Sequence, residues 1–409
     1  MNVTVYPSRI RGTVQAPPSK SHVHRLLIAA ALCCGGVHTH IHCPGENEDI
    51  AATVRCLSAL NTEIFKERDW LHVGRDGPMH FFQPRGILDC GESGSTLRFL
   101  LPLCAAKPLD HPAKHAVILT GSGRLPSRPN GPLLDVLRAH GAQIQGEFLP
   151  LTAEGGLSAG DFALPGNVSS QYFSGLLFAL PLLSGDSTLR YTAPLESMPY
   201  VDLTLSVLRQ FGLRVEPMEN GWRVPGGQTY HSPGTVEAEG DWSAAAFWLG
   251  ANRLGSAVSV TGLNGHSCQG DKAIEKLLDQ IGGEIDVADT PDLMPILAAA
   301  AAAVLGKTTR ITGAARLRLK ESDRLAAMAE AIRALGGETE EKPDGLIIHG
   351  KRLNAGTVDG KGDHRVVMSA AIAATACSGP VTILGAEAVN KSYPGFWKDF
   401  EALGGQTHA

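Results

Sequence analysis

A phrase that the chain repeats constrains its fold more than any other feature. Leu137-Arg138-Ala139-His140-Gly141-Ala142 is echoed by Leu208-Arg209-Gln210-Phe211-Gly212-Leu213, by Leu278-Asp279-Gln280-Ile281-Gly282-Gly283 and by Ile332-Arg333-Ala334-Leu335-Gly336-Gly337. Fainter copies are Leu57-Ser58-Ala59-Leu60-Asn61 and Phe400-Glu401-Ala402-Leu403-Gly404-Gly405. Each reads as the end of an amphipathic helix with Gly or Asn at its C-cap, since these residues stop a helix at least cost. Strand-like segments follow most copies, as at 143–146 and 213–216. The copies lie about 55–80 residues apart, longer than a solenoid repeat, so each unit is a small α/β module with more than one helix. Six such units in 409 residues predict two domains of three, in a chain too long for one ordinary core.

Each unit holds a second helix, apolar and buried, that opens on small, hydroxyl or charged residues. Lys20-Ser21-His22-Val23-His24-Arg25 precedes the run 26–32, and Gly91-Glu92-Ser93-Gly94-Ser95-Thr96-Leu97-Arg98 precedes 99–105. Gly166-Asn167-Val168-Ser169-Ser170-Gln171 precedes 172–183, and Glu239-Gly240-Asp241-Trp242-Ser243 precedes 244–251. Thr290-Pro291-Asp292 precedes an Ala-rich run, and Asp363-His364-Arg365 precedes 366–376. A buried helix start leaves up to four donors to be satisfied by side chains, water or a ligand. Starts that face one another add their fields where an anion would sit. The most heavily charged mouth is Leu319-Lys320-Glu321-Ser322-Asp323-Arg324, ahead of Leu325, Met328, Ile332 and Leu335 at helical spacing. Ser322 or Asp323 caps that helix, so Lys320, Glu321 and Arg324 cluster around its positive end.

A net charge of −5 argues against nucleic acid or an acidic membrane as the main partner, so any cationic site is local. The eight Cys contain no C-x-x-C pair, which points to reduced thiols and to neither a disulfide framework nor zinc. The start, 1–10, has no apolar signal core, and the longest apolar run, 293–305, is broken by Pro295 and too short to span a bilayer. Pro17-Pro18 marks one crossing between domains, and the loop-rich stretch 225–234 leads to the return. The boundaries expected are therefore 1–18 with 239–409 for a discontinuous domain, built from a short N-terminal strand and the C-terminal half, and 19–238 for the other.

Nine motifs in order resemble the 5-enolpyruvylshikimate-3-phosphate synthases (3-phosphoshikimate 1-carboxyvinyltransferases) from Pro17 to Pro394. They are Pro18-Ser19-Lys20-Ser21 with Arg25, Gly91 to Thr96 with Arg98, Leu125-Pro126-Ser127-Arg128-Pro129, Ser169-Ser170-Gln171, Pro199-Tyr200-Val201-Asp202, Pro291-Asp292, Lys320 to Arg324, Asp363-His364-Arg365 and Asn390-Lys391-Ser392-Tyr393-Pro394. The resemblance implies an α/β protein of two similar domains, each of three βαβαββ units (an inside-out α/β barrel, the enolpyruvyl transferase fold). Two crossovers join the domains, and the active site lies in the cleft between them. It implies transfer of the enolpyruvyl group of phosphoenolpyruvate to the 5-hydroxyl of shikimate-3-phosphate with release of phosphate, a step of aromatic amino acid biosynthesis. It further implies a monomeric, cytoplasmic enzyme with no metal and no organic cofactor.

By the same resemblance, Ser21 and Arg25 hold the shikimate carboxylate, and Ser169, Ser170 and Ser197 hold its phosphate. Tyr200 packs on the shikimate moiety, Asp292 and Lys320 contact its ring hydroxyls, and Gln171 lies between the substrates. Phosphoenolpyruvate is held by Lys20, Gly94, Arg128, Arg324, Arg365 and Lys391. Planar guanidinium forks suit carboxylate and phosphate, and Gly94 lets the ligand approach the backbone. Asp292 as base on the hydroxyl and Glu321 at the methylene carbon are the expected proton carriers, with Lys20 a third. Gly94 also predicts inhibition by glyphosate, a phosphoenolpyruvate mimic.

Other residues read more simply. Asp49, Asp202, Asp241, Asp323 and Asp363 fit as caps or as partners orienting Arg, and His364 as a hydrogen-bonding wall. His22, His24, His38, His40 and His42, spaced around Gly35-Gly36, read as a surface loop and not a metal cluster. Cys90, Cys104 and Cys377 read as small core residues. Glu92, Phe99 and Arg316 depart from the family's usual residues. The sibling enzymes that act on UDP-N-acetylglucosamine would carry a reactive Cys in the loop 106–123, which has none.

Overall fold

The computed structural model describes residues 1–33, 36–74, 86–106 and 116–408. Residues 107–115, half of the loop 106–123, and Gly35 of the His-rich stretch thus lie outside the described residues. The chain divides into two compact units, Lys20–Ala238 and Met1–Ser19 with Glu239–Ala409, each with a hydrophobic core of its own.

In the unit Lys20–Ala238 the helices are α1 (Lys20–Ala31), α2 (Glu48–Ala59), α3 (Gly94–Ala105), α4 (Gly131–Ala139), α5 (Ser170–Ala179) and α6 (Met198–Gln210). Its three sheets share one topology. In the second, strand Ile87–Asp89 runs parallel to Val117–Thr120 with Leu88 opposite Leu119, and α3 connects them. After α4 a hairpin, Gln143–Gln145 and Leu151–Gly155, returns antiparallel, its second strand beside Val117–Thr120. The third sheet, from Asp161–Leu164 to Gly221–Val224, repeats this order. The first sheet takes its leading strand, Thr235–Glu237, from the far end of the segment, parallel to Thr39–His42.

The other unit carries α7 (Trp242–Arg253), the short α8 (Ile274–Leu277), α9 (Met294–Ala303), α10 (Arg324–Ala334), α11 (His364–Ala374) and α12 (Phe396–Ala402). Its sheet from Glu284–Asp286 to Gly345–His349 has the same order, and the N-terminal strand Asn2–Tyr6 completes the sheet of Gly356–Asp359 and Val381–Leu384. The N-terminal segment therefore contributes two strands and not the one expected, since Arg11–Gln15 pairs in parallel with Ala257–Thr261. Among the described residues that sheet has these two strands alone, because the helical turns 270–280, which stand where the other repeats place their second helix, lead directly into Glu284–Asp286 of the next sheet with no hairpin between.

All six echoed phrases end a second helix. Asn61, Gly141, Gly212, Gly282, Gly336 and Gly404 each take positive φ, between 65° and 102°. The strand after Gly212 starts at Glu216 and not at Leu213. The first helix of each repeat is buried on nearly every side, and α7, α9 and α11 pack on one another while sheets lie outside them. Small residues make this possible. A Cβ on Gly175 of α5 would come within 2.1 Å of Arg98 O on α3, so only glycine lets those helices approach.

Some of the polar residues expected to precede these helices are instead part of them, while Ser93, Ser169, Asp241 and Asp363 precede theirs as caps and Asp292 precedes α9. α1 begins at Lys20, α3 at Gly94 and α5 at Ser170, so their functional residues occupy the first turns. The His-rich stretch is likewise no surface loop. His22 and His24 are buried in α1, and His40 and His42 alternate with inward Thr39 and Ile41 on a strand. Among the described residues, no three His, Cys, Asp or Glu side chains group to hold a metal, and no helix is long and apolar enough to cross a membrane.

Candidate active site

In the unit containing the C-terminal half, the mouth of α10 carries an ionic web. Asp323, and not Ser322, caps the helix by accepting from Ala326 N, and the hydrophobic face of Leu325, Met328, Ile332 and Leu335 seats it in the core. Arg324 is 1% exposed, and each of its three nitrogens serves a different carboxylate. Nε donates to Asp363 Oδ2 at 2.7 Å, Nη1 to Asp292 Oδ1 at 2.8 Å and Nη2 to Glu321 Oε2 at 2.8 Å. Arg365 Nη2 donates to the other oxygen of Asp292 at 2.8 Å, so that carboxylate bridges two guanidinium groups. Asp363 caps α11 through Arg365 N at 3.0 Å and accepts from Ser322 Oγ at 3.0 Å.

Burial pushes the proton affinity of Asp292 up, but Arg365, Lys320 and Arg324 outweigh it and hold the carboxyl well below the usual range. Arg324 is held above its ordinary value: burial opposes the charge, and Asp363, Glu321 and Asp292 more than offset it. Asp271, which no motif signalled, lies 2% exposed on a helical turn and accepts a very short hydrogen bond from Ser243 Oγ. Burial and then Asp292 raise its pKa to about 7. Lys391 is buried at the end of the turn Ala386–Lys391. His364 is buried, with Nδ1 3.8 Å from Asp363 Oδ1.

In the unit Lys20–Ala238, cations are held mostly by neutral groups. Arg25 is 2% exposed and donates to Thr204 Oγ1 at 2.8 Å, Ser21 O at 2.6 Å, Tyr200 O at 2.8 Å and Ser174 Oγ at 3.3 Å. Its guanidinium lies 5.0 Å from the Phe99 ring centroid, so that departure from family usage sits under the cation. Burial lowers the Arg25 pKa to about 9. Arg98 donates to Asn130 Oδ1 at 3.0 Å, Pro129 O at 2.9 Å and Gln171 Oε1 at 2.7 Å. Because Arg has only donors, Gln171 must turn its oxygen to Arg98, leaving Nε2 to donate to Ser95 Oγ at 2.9 Å.

Lys20 pairs with Asp49 at 2.9 Å, and a Cβ on Gly94 would stand 3.0–3.1 Å from the Arg128 guanidinium. Ser169 caps α5 by accepting from Gln171 N, beside Ser170. Ser197 precedes α6 in a left-handed conformation, φ 60°, and its carbonyl accepts from Tyr200 N. The contacts thus join Ser21, Arg25, Ser197 and Tyr200 into one cluster, and Asp292, Glu321, Arg324, Arg365 and, electrostatically, Lys320 into another. Of the acids read as caps or Arg partners, Asp241 caps α7. Asp49 follows the cap Asn47 and partners Lys20, and Asp202 lies exposed within α6, so neither is a cap. Cys90, Cys104 and Cys377 are buried, Glu92 is exposed, and Arg316 donates to Ala288 O at 2.8 Å.

Comparison with known proteins places this geometry. The family profile described as EPSP synthase (3-phosphoshikimate 1-carboxyvinyltransferase) matches residues 5–294 and 281–400. The 3-phosphoshikimate 1-carboxyvinyltransferase of Clostridium kluyveri is 41% identical over 427 residues, covering 99% of this chain and 97% of its own. That of Halobacterium salinarum is 39% identical over 440 residues and the full length of both. The solved EPSP synthase of Acinetobacter baumannii superposes over both whole chains with a TM-score of 0.80 at 26% identity. The enolpyruvyl transferase NikO of Streptomyces tendae, 18% identical with a TM-score of 0.76, shares the fold. With its six repeats and its paired clusters of buried cations, the chain belongs to the EPSP synthase family.

Proposed function

We propose that this protein transfers the enolpyruvyl group of phosphoenolpyruvate to the 5-hydroxyl of shikimate-3-phosphate by addition and elimination. The observation that carries the reading is the web in which Arg324 and Arg365 share Asp292 while Arg324 also holds Glu321. It couples two carboxylates to cations fit for a carboxylate or phosphate, which proton transfer on a polyanion requires. In the addition, the hydroxyl oxygen bonds to C2 of the enol phosphate, its proton passes to Asp292, and C3 gains a proton from Glu321. In the elimination, the bond from C2 to the phosphate oxygen breaks, C3 returns a proton, and the double bond reforms. Asp292, held ionised by its Arg partners, starts in the form a base needs. Lys20 is the third proton carrier.

Arg25 and Ser21 anchor the shikimate carboxylate, Ser169, Ser170 and Ser197 its phosphate, and Tyr200, Asp292 and Lys320 the ring. Lys20, Gly94, Gln171, Arg128, Arg324, Arg365 and Lys391 take phosphoenolpyruvate. The reading makes the protein a monomeric cytoplasmic enzyme. The test is phosphate release from phosphoenolpyruvate with either acceptor. Release is expected with shikimate-3-phosphate, suppressed by glyphosate in competition with phosphoenolpyruvate. Release with UDP-N-acetylglucosamine alone would overturn the assignment.

A further inference from the structure

A second network in the unit Lys20–Ala238 touches none of the residues assigned to substrate, yet it binds together the helices that carry them. His24 Nδ1 lies 2.7 Å from Thr53 Oγ1, Thr53 Oγ1 lies 2.7 Å from Thr96 Oγ1, and Thr96 Oγ1 donates to Ser93 Oγ at 2.7 Å. Ser93 is the cap of α3 and also accepts from Thr96 N at 3.2 Å. All four side chains are fully buried. The chain therefore crosses from α1 through α2 to the first turn of α3.

Counting hydrogens fixes its direction. Thr96 has one hydroxyl proton, and Ser93 takes it, so Thr53 must donate to Thr96. Thr53 then has no proton left for His24, and His24 must donate from Nδ1. Among the described residues the buried Nε2 has no hydrogen-bond partner to take a second proton, so the ring is neutral with its proton on Nδ1. Burial, with Lys20 and Arg25 adding to it against Asp49, independently holds the His24 pKa down at about 3. The spacing adds a second constraint. Lys20 and His24 are one turn apart on α1, and their partners Asp49 and Thr53 are one turn apart on α2. Two rungs, one ionic and one neutral, thus set the register of α1 on α2, and the neutral rung continues to α3.

We infer that His24 is a positioning residue: through Thr53 and Thr96 it sets Lys20 and the start of α3, where Gly94 faces Arg128 and Ser95 holds Gln171. The inference rests on the proposed function for its kinetic consequence and not for the hydrogen-bond order. Thr53→Val keeps the side-chain volume and deletes the relay. It is expected to lower kcat/KM for phosphoenolpyruvate by ~10–10²-fold, the scale on which small misplacements of catalytic groups register. His24→Leu should do the same, whereas His24→Asn, whose amide can donate to Thr53, should recover most of the loss. In the unaltered protein, 15N-labelled imidazole should report the Nδ1–H tautomer with no titration from about pH 5 to 8, where a free His would titrate. An Nε2–H tautomer, titration in that range, wild-type kcat/KM in Thr53→Val, or His24→Asn as impaired as His24→Leu would each overturn it. Should the unaltered enzyme not consume phosphoenolpyruvate, the functional reading fails, and the tautomer still decides the relay.

Discussion

The two units hold buried cations by opposite means. Around Arg324 the partners are carboxylates: Asp363, Asp292 and Glu321, with Arg365 sharing Asp292. Around Arg25 they are two hydroxyls, two carbonyls and an aromatic face. A guanidinium among carboxylates is neutralised in place, and it keeps proton-accepting groups fixed beside it. A guanidinium among neutral dipoles keeps its whole charge, at a cost that shows in the fall of the Arg25 pKa to about 9. The first arrangement suits proton transfer, and the second suits anchoring an anion that arrives with its own charge. Under the proposed function, the same helix-mouth design would favour proton transfer in one unit and anion anchoring in the other.

The sharpest break of this contrast lies in turnover. Asp292→Asn and Glu321→Gln should each lower kcat by ~10²–10⁴-fold, the usual worth of a positioned acid or base, measured by phosphate release under saturation. Near-normal turnover in both would remove proton chemistry from the ionic web. Next in size is the cost to stability of deleting each cation. Arg324→Met leaves three clustered carboxylates without their centre and should cost ~3–5 kcal/mol, as broken buried ion pairs do. Arg25→Met leaves only neutral acceptors unpaired and should cost ~1–3 kcal/mol, while weakening the binding of shikimate-3-phosphate. Denaturant melts of the two variants give the comparison, and equal losses would erase the distinction.

What the sequence discloses follows the same division. The six echoes were readable because a helix stop needs left-handed backbone, and only Gly or Asn supplies it cheaply, as Asn61 and Gly141 do. The helix mouths were readable because buried starts need small or polar residues. What stayed hidden is pairing across the chain. Nothing near Asp271 announces that it faces Asp292, 21 positions on, or that Thr53 connects His24 to Thr96. The strand Arg11–Gln15 is not legible because it is short and its partner, Ala257–Thr261, lies more than 200 residues away; Thr39–His42 is short and has one of its two partners, Thr235–Glu237, nearly as far off. The hairpin missing after Gln280 is not legible in the sequence, because the phrase at Leu278 has the form of the helix end that elsewhere precedes one.

The most local expected effect is on pH dependence, since the two units should answer pH in opposite senses. Asp271 keeps its proton in the folded state up to about pH 7, while an unfolded Asp loses its own near ~4. Between those values the folded state binds more protons, so stability falls as pH rises, and the loss is complete above the folded pKa. His24 is the reverse, neutral when folded down to about pH 3 and protonated when unfolded below ~6.5. Its contribution is present above ~6.5 and is lost as pH falls toward 3. Hydrogen exchange followed from pH 4 to 7, corrected for the intrinsic rate, should therefore show protection falling in α7 with rising pH and growing in α1. Asp271→Asn should flatten the first trend alone, and His24→Asn the second alone. If either substitution changed both slopes, the groups would not be acting within separate cores, and the contrast between the ionic and the neutral mouth would lose its simplest explanation.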